Sequence, residues 1–252
     1  MILRIVTTQT CLRIIRCKKR TTTPRNLGYY FDRFIPAFIH ACNSEKPYHR
    51  DPEINRGYWA RTSAITSMVV QFVEFAELDF SSVTAKKISN QAKSDLRQIR
   101  EFDGKLATAD LDFSQPTLVI AECVFVYMDE AHSHELIEEV AKRFETVAVL
   151  NYEQVNMTDT FSKVMSTNLS SRGIHLPGLP TCKSLQTQKQ RFLNVGFPHV
   201  QACWTISEIY SQHLQRQEVS KIESLEPLDE KELLTQLLEH YCLVMRLKTR
   251  PK

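Results

Sequence analysis

A chain of 252 residues, 42% hydrophobic and 24% charged, has an ordinary globular composition and enough apolar material for one domain with a real core. Its 32 Lys and Arg against 29 Asp and Glu leave a net charge of +3, too small a field to gather nucleic acid. No apolar run, Thr117–Ala121 among the longest, approaches the roughly 18 residues that a membrane-spanning helix needs, so neither nucleic acid nor a bilayer is an expected partner.

The first 31 residues contain no Asp or Glu but carry Arg4, Arg13, Arg16, Lys18, Lys19, Arg20 and Arg25. This basic stretch is open to two readings. One is an extension over residues 1–27 without fixed structure; the other is a mitochondrial presequence, which its composition resembles. The remainder, 28–252, reads as one domain. The seven cysteines are odd in number, scattered, and free of any CxxC or Cys/His ligand spacing. They point to a reducing compartment such as the cytoplasm and to no metal site. Six glycines, at 28, 57, 104, 173, 178 and 196, include no GxG pair, so no phosphate-cradling loop can be read.

The clearest element follows Gln115-Pro116, where Thr117–Ala121 is continuously apolar, as a strand buried on both faces, and ends at Glu122. Asp129 then offers a helix cap, and Leu136, Ile137, Val140, Ala141 and Phe144 recur at helical spacing before a second apolar strand, Thr146–Leu150. Strand, amphipathic helix and strand make a βαβ unit with a right-handed crossover, so the fold class is α/β. Ser184–Asn194 reads as a helix stopped by Gly196, and His199–Trp204 as a strand. Asp229 with Glu232 has the spacing of a capping box for a last helix whose apolar face is Leu233, Leu234, Leu237, Leu238 and Tyr241; Leu243–Leu247 is a terminal strand.

Five stretches, in order, are similar to the leucine carboxyl methyltransferase family. They are Pro52-Glu-Ile-Asn-Arg-Gly-Tyr-Trp-Ala-Arg61, Ile120-Ala-Glu-Cys-Val-Phe-Val-Tyr-Met128, Asn151-Tyr-Glu-Gln-Val-Asn-Met157, Thr181-Cys-Lys-Ser-Leu185 and Val219-Ser-Lys-Ile-Glu-Ser-Leu-Glu226. The resemblance implies a doubly wound S-adenosylmethionine-dependent methyltransferase sheet with added lid helices. It also implies a reaction in which S-adenosyl-L-methionine gives its methyl to the α-carboxylate of the C-terminal leucine of a type 2A protein phosphatase catalytic subunit, the partner being that subunit's tail and the enzyme a monomer. A carboxylate is already an anionic nucleophile, with a reference pKa near 3.5, so no general base is required. The protein must align the carboxylate, exclude water and hold it without quenching its attack. This is why no Ser-His-Asp or Cys-His constellation is needed.

By resemblance, Arg61 orients a carboxylate with its guanidinium fork and belongs to both the catalytic and the cofactor-binding set. Glu122, past the buried strand, contacts the methionine portion of the cofactor. Tyr127 closes the transfer pocket, and Asp79 is the second-strand acid that accepts from the ribose hydroxyls. Asp95 and Leu96 lie beside the adenine. Asn151, Tyr152, Glu153 and Gln154 follow the next strand and face the substrate side, with loop solvation an equal alternative.

The chain departs from the family between Arg61 and Glu77. Thr62–Ala76 is 15 residues without a glycine, whereas a strand, crossover and returning strand take roughly 30. The first strand and its Gly-rich turn do not fit there, and the sheet is expected to be incomplete at that strand. Two functions therefore stand side by side: an active carboxyl methyltransferase, and a catalytically inactive relative that holds the phosphatase tail. A branch of the family that modifies transfer RNA carries a propeller domain, for which 252 residues leave no room.

Overall fold

The computed structural model of the chain describes residues 27–29, 51–72 and 113–249 in full and the backbone of residues 2–5 and 73–79. Its elements are β1 (Ile2–Ile5), α1 (Pro52–Asp79), β2 (Thr117–Glu122), α2 (Glu130–Arg143), β3 (Val147–Gln154), α3 (Thr160–Ser170), α4 (Leu185–Leu193), β4 (His199–Thr205), α5 (Arg216–Glu223), α6 (Glu232–Glu239) and β5 (Tyr241–Lys248). Short helical turns lie at Phe125–Tyr127, Leu179–Thr181, Ile206–Glu208 and Ile209–His213.

The strands form one sheet in the order β1-β2-β3-β5-β4. β1, β2 and β3 run parallel, and β5 is antiparallel to both β3 and β4. The alternation of a strand's side chains sends Leu118, Ile120, Ala148, Leu150 and Tyr152 to one face, where they meet Trp59, Ala60, Ala64, Met68 and Phe72 of α1, with Leu234 and Leu238 of α6. Val119, Ala121, Val147 and Val149 go to the other face and pack on Ile137, Val140 and Ala141 of α2 and Phe192 of α4. Helices thus cover both faces of a largely parallel sheet, the α/β arrangement that the sequence pattern implies.

Asp129 caps α2, its side chain accepting from the His132 amide at 2.9 Å, and Ser184 with Thr187 forms a capping box on α4. The last helix differs from expectation. α6 starts at Glu232 behind Lys231 with no side-chain cap, so the Asp229/Glu232 box is not formed. Leu228, four residues before the helix, is partly buried against the core cluster that includes α1 residues.

Two further expectations are corrected. Asp79 is the last residue of a 28-residue helix, not part of a strand, since the segment after Arg61 has no breaker and continues the helical stripe of Ala60, Ala64, Met68 and Phe72. The N-terminal extension, expected to be unstructured, supplies β1, which pairs with β2 from Ile2 opposite Thr117 to Ile5 opposite Ile120. The place beside β2 is thus taken by the N-terminus and not by a strand from the segment between Arg61 and Glu77.

The turn after β2 is held from two sides. The fully buried Glu153 carboxylate accepts from the Val126 amide at 3.0 Å, and the Gly178 amide donates to the Val126 carbonyl at 2.9 Å. A Cβ on Gly178 would lie 2.5 Å from the Phe125 carbonyl oxygen and 2.7 Å from that of Met128, backbone atoms that cannot swing aside. Gly178→Ala is therefore expected to destabilise by about 1–3 kcal/mol, the cost of overpacking a filled interior, read as a lower unfolding midpoint in thermal denaturation. An unchanged midpoint would mean that the turn moves freely.

On the α1 side, Tyr210 stands edge-on to Trp59 with ring centroids 6.0 Å apart and donates its hydroxyl to Glu223 Oε1 at 3.2 Å. Burial, reinforced by the negative Glu223, pushes this phenol up to about 12. The unfolded chain, with its phenol near 10, loses the proton first. The contribution is thus complete below pH 10 and is lost as pH rises toward 12. Tyr210→Phe is expected to flatten the alkaline fall of the unfolding midpoint across that window, and an equally steep fall would argue against it.

Candidate active site

β2 ends at Glu122, whose backbone pairs with Tyr152 of β3, and the chain then turns through Cys123 in a left-handed conformation, φ 50°. A non-glycine residue in that region is uncommon and is held only where its surroundings fix it. Here the Cys123 amide donates to the Tyr152 carbonyl at 2.7 Å, and the side chain is buried in the core. The turn leaves the Glu122 carboxylate at the carboxyl end of the sheet, 21% exposed.

α1 brings Arg61 to the same point. Its Nε and a terminal nitrogen both donate to Glu122 Oε1, and the guanidinium lies 5.0 Å from the centre of the Tyr152 ring. Tyr152 is stacked in turn on Tyr241 of β5, 5.3 Å between centroids and 13° from parallel. Burial works against the charge on Arg61, but Glu122, Cys123 and Tyr152 outweigh it and hold the guanidinium more firmly protonated than usual. Burial also lifts the Tyr152 phenol well above its ordinary value, against the pull of Arg61, so that ring serves as a neutral platform. The result is a half-buried pair of opposite charges on an aromatic floor, able to hold a carboxylate by the fork and an ammonium by Glu122.

Of the residues singled out from sequence, the structure brings Arg61 and Glu122 into direct contact. Tyr127, half-buried in the turn that Glu153 and Gly178 hold, packs against the core clusters on either side of it. Asp79 ends α1, and its side chain is outside the described residues, as are Asp95 and Leu96. Asn151, Tyr152, Glu153 and Gln154 do not form a substrate-side loop. They extend β3 by four residues, all four paired with β5 and the first two, Asn151 and Tyr152, also with β2, and all four are buried. Sequence reasoning ended the strand at Leu150 because polar residues follow, yet β5 runs beside all four and pairs their backbone. Tyr152 was thereby missed as the floor beneath Arg61; the signal was its alternation with Leu150 and Ala148 on the α1 face.

Among the described residues no group of His, Cys, Asp and Glu could hold a metal ion, and no helix is long and apolar enough to cross a membrane. Cys182, Cys203 and Cys242 are in no disulfide, and burial pushes the Cys182 thiol up to about 12.

A family model described as leucine carboxyl methyltransferase matches residues 80–141. The chain is 36% identical to leucine carboxyl methyltransferase 1 of Caenorhabditis elegans, over 86% of this chain and 84% of that one. It is 32% identical to the Rattus norvegicus protein of that name, over 93% and 87%. The likeness to the Rattus norvegicus tRNA wybutosine-synthesizing protein 4, 32% identical, takes in 60% of this chain but 22% of that one. The nematode alignment runs over 282 positions, more than this chain's 252 residues, so this chain lacks residues that its relative has within the matched span. With identity of this degree reaching over most of both chains, the protein belongs to the leucine carboxyl methyltransferase family.

Proposed function

We propose that this chain transfers the methyl group of S-adenosyl-L-methionine to the α-carboxylate of the C-terminal leucine of a type 2A protein phosphatase catalytic subunit, acting in the cytoplasm on that subunit's tail. The observation that carries the reading is the Arg61–Glu122 pair at the carboxyl end of β2, the end of an open α/β sheet at which ligands bind. An amino-acid group with a carboxylate and an ammonium is complementary to that pair. It can exchange partners with it, carboxylate to Arg61 and ammonium to Glu122, without leaving either protein charge alone. The methionine end of S-adenosylmethionine is such a group, so Arg61 and Glu122 would hold it. The cofactor supplies an electrophilic methyl; the protein's part is to orient, to neutralise and to exclude water. Tyr127, next to the Val126 backbone that Glu153 and Gly178 hold, would close the pocket past Glu122, and Tyr152 would floor it.

A second reading, a relative that holds the phosphatase tail without methylating it, is favoured by α1. The helix runs unbroken through Thr62–Ala76, and a glycine turn that would bring backbone N–H groups against the cofactor is absent from it. Calorimetry with S-adenosylmethionine, joined to transfer of a labelled methyl onto a leucine-terminated phosphatase, decides between them. Micromolar binding with label on the tail supports the enzyme. Millimolar or absent binding selects the second reading, since each tenfold loss corresponds to about 1.4 kcal/mol. Where transfer occurs, Arg61→Ala is expected to slow it by roughly a hundredfold, the loss of about 3 kcal/mol of oriented electrostatic contact, with circular dichroism unchanged. Undiminished turnover would remove Arg61 from the active site.

A further inference from the structure

The stretch that carries Arg61 begins with residues that do not reach the site. Six and five positions earlier, Asn55 and Arg56 point away from Glu122 into a polar cluster on the α5 side, and both are buried. Asn55 Nδ2 donates to Glu226 Oε2 at 2.9 Å, and Tyr29, which precedes α1 in the chain, donates its hydroxyl to the same oxygen at 2.8 Å. The Arg56 guanidinium donates to the Glu223 carbonyl at 3.0 Å and also to the Glu226 carbonyl, placing its charge at the carboxyl end of α5.

We propose that Glu226 is a positioning residue for the site, setting the rotation of α1 about its own axis and so the place of the Arg61 fork against Glu122. Trp59, Ala60, Ala64 and Met68 hold α1 on the sheet by apolar contact, which is non-directional and tolerates a small roll of the helix. On a cylinder whose radius with side chains is about 5–6 Å, a roll of about 20° moves a side-chain tip by about 2 Å. That is enough to break a fork held to one carboxylate oxygen, because hydrogen bonds weaken steeply with distance and angle. The Glu226 clasp is directional. It fixes the same helix about 7–9 Å along its axis from Arg61, too far for Glu226 itself to act on the guanidinium. This inference rests on the reading of Arg61 and Glu122 as the site.

The test is a double-mutant cycle on thermal stability, which needs no ligand. Arg61→Met is expected to lower the unfolding midpoint of the unmodified protein by stranding Glu122, and to lower it by half as much or less in a Glu226→Leu background, which has no acceptor for Tyr29 and Asn55 and where the fork is already misplaced. Residues this far apart with no shared partner otherwise contribute additively. Equal shifts in the two backgrounds, or no shift from Arg61→Met in the unmodified protein, would overturn the proposal and leave Glu226 a structural residue. If Glu226→Leu does not fold, Tyr29→Phe, which removes one of the two donors to that oxygen, takes its place in the cycle. Calorimetry with S-adenosylhomocysteine on the unmodified protein separates the two claims. No binding there would sink the reading of the site, while the cycle still decides the clasp.

Discussion

The parallel register that sets Glu122 opposite Tyr152 is the constraint from which the site follows. Because a strand's side chains alternate, it also decides that Leu118, Ile120, Leu150 and Tyr152 share the face on which α1 lies. Arg61 can then meet a carboxylate from one strand and an aromatic ring from the next. A slip of one residue would send Tyr152 to the α2 side and leave the guanidinium above a gap. The register is secured away from the site, by the apolar runs of β2 and β3 and by the pairing of β5 along the whole of β3, from Val147 opposite Lys248 to Gln154 opposite Tyr241.

The stretch from Pro52 to Arg61 was a single block in the sequence, but the helix divides it among separate tasks. Asn55 and Arg56 face α5, Trp59 and Ala60 face the sheet, and Arg61 faces Glu122. Gly57 lies at the crossing with α6, where a Cβ would come within 3.0 Å of a Leu237 methyl. Such a block resembles a catalytic motif when read linearly. Only one of its ten residues reaches the charged pair at the end of β2; others position it.

What could be read in advance follows the range of the forces involved. The βαβ unit, the Asp129 and Ser184 caps and the strand at His199 depend on neighbours three or four residues away, and their patterns were plain. Arg61 and Glu122 were each legible as site residues through the family resemblance, but their contact was not, since nothing in local spacing says that residues 61 apart will touch. The burial of Glu153 and Gln154 was not legible. It depends on β5 beside them and on the Val126 amide and Gln188 side chain that meet them, and a polar run after an apolar strand reads as its end whenever those neighbours are unknown. Asp79 was misread for the converse reason: a short acid-and-aromatic segment matched a strand, while the helical stripe running into it from Ala60 won.

β5 has a consequence for the order in which the molecule can be made. It comes after the other described strands in the chain, yet it lies between β3 and β4, and among the described strands β4 has no other neighbour. Until Tyr241–Lys248 has emerged from the ribosome, β4 has no ladder to join, and the β5-facing edge of β3, with the buried polar residues Asn151, Glu153 and Gln154, stays open. Tyr152 likewise has no Tyr241 to stack on, so the platform under Arg61 is completed only once β5 is in place. Closure of the sheet is therefore a long-range event that waits on β5, and the interval before it is when an unpaired strand is most open to association with a neighbour.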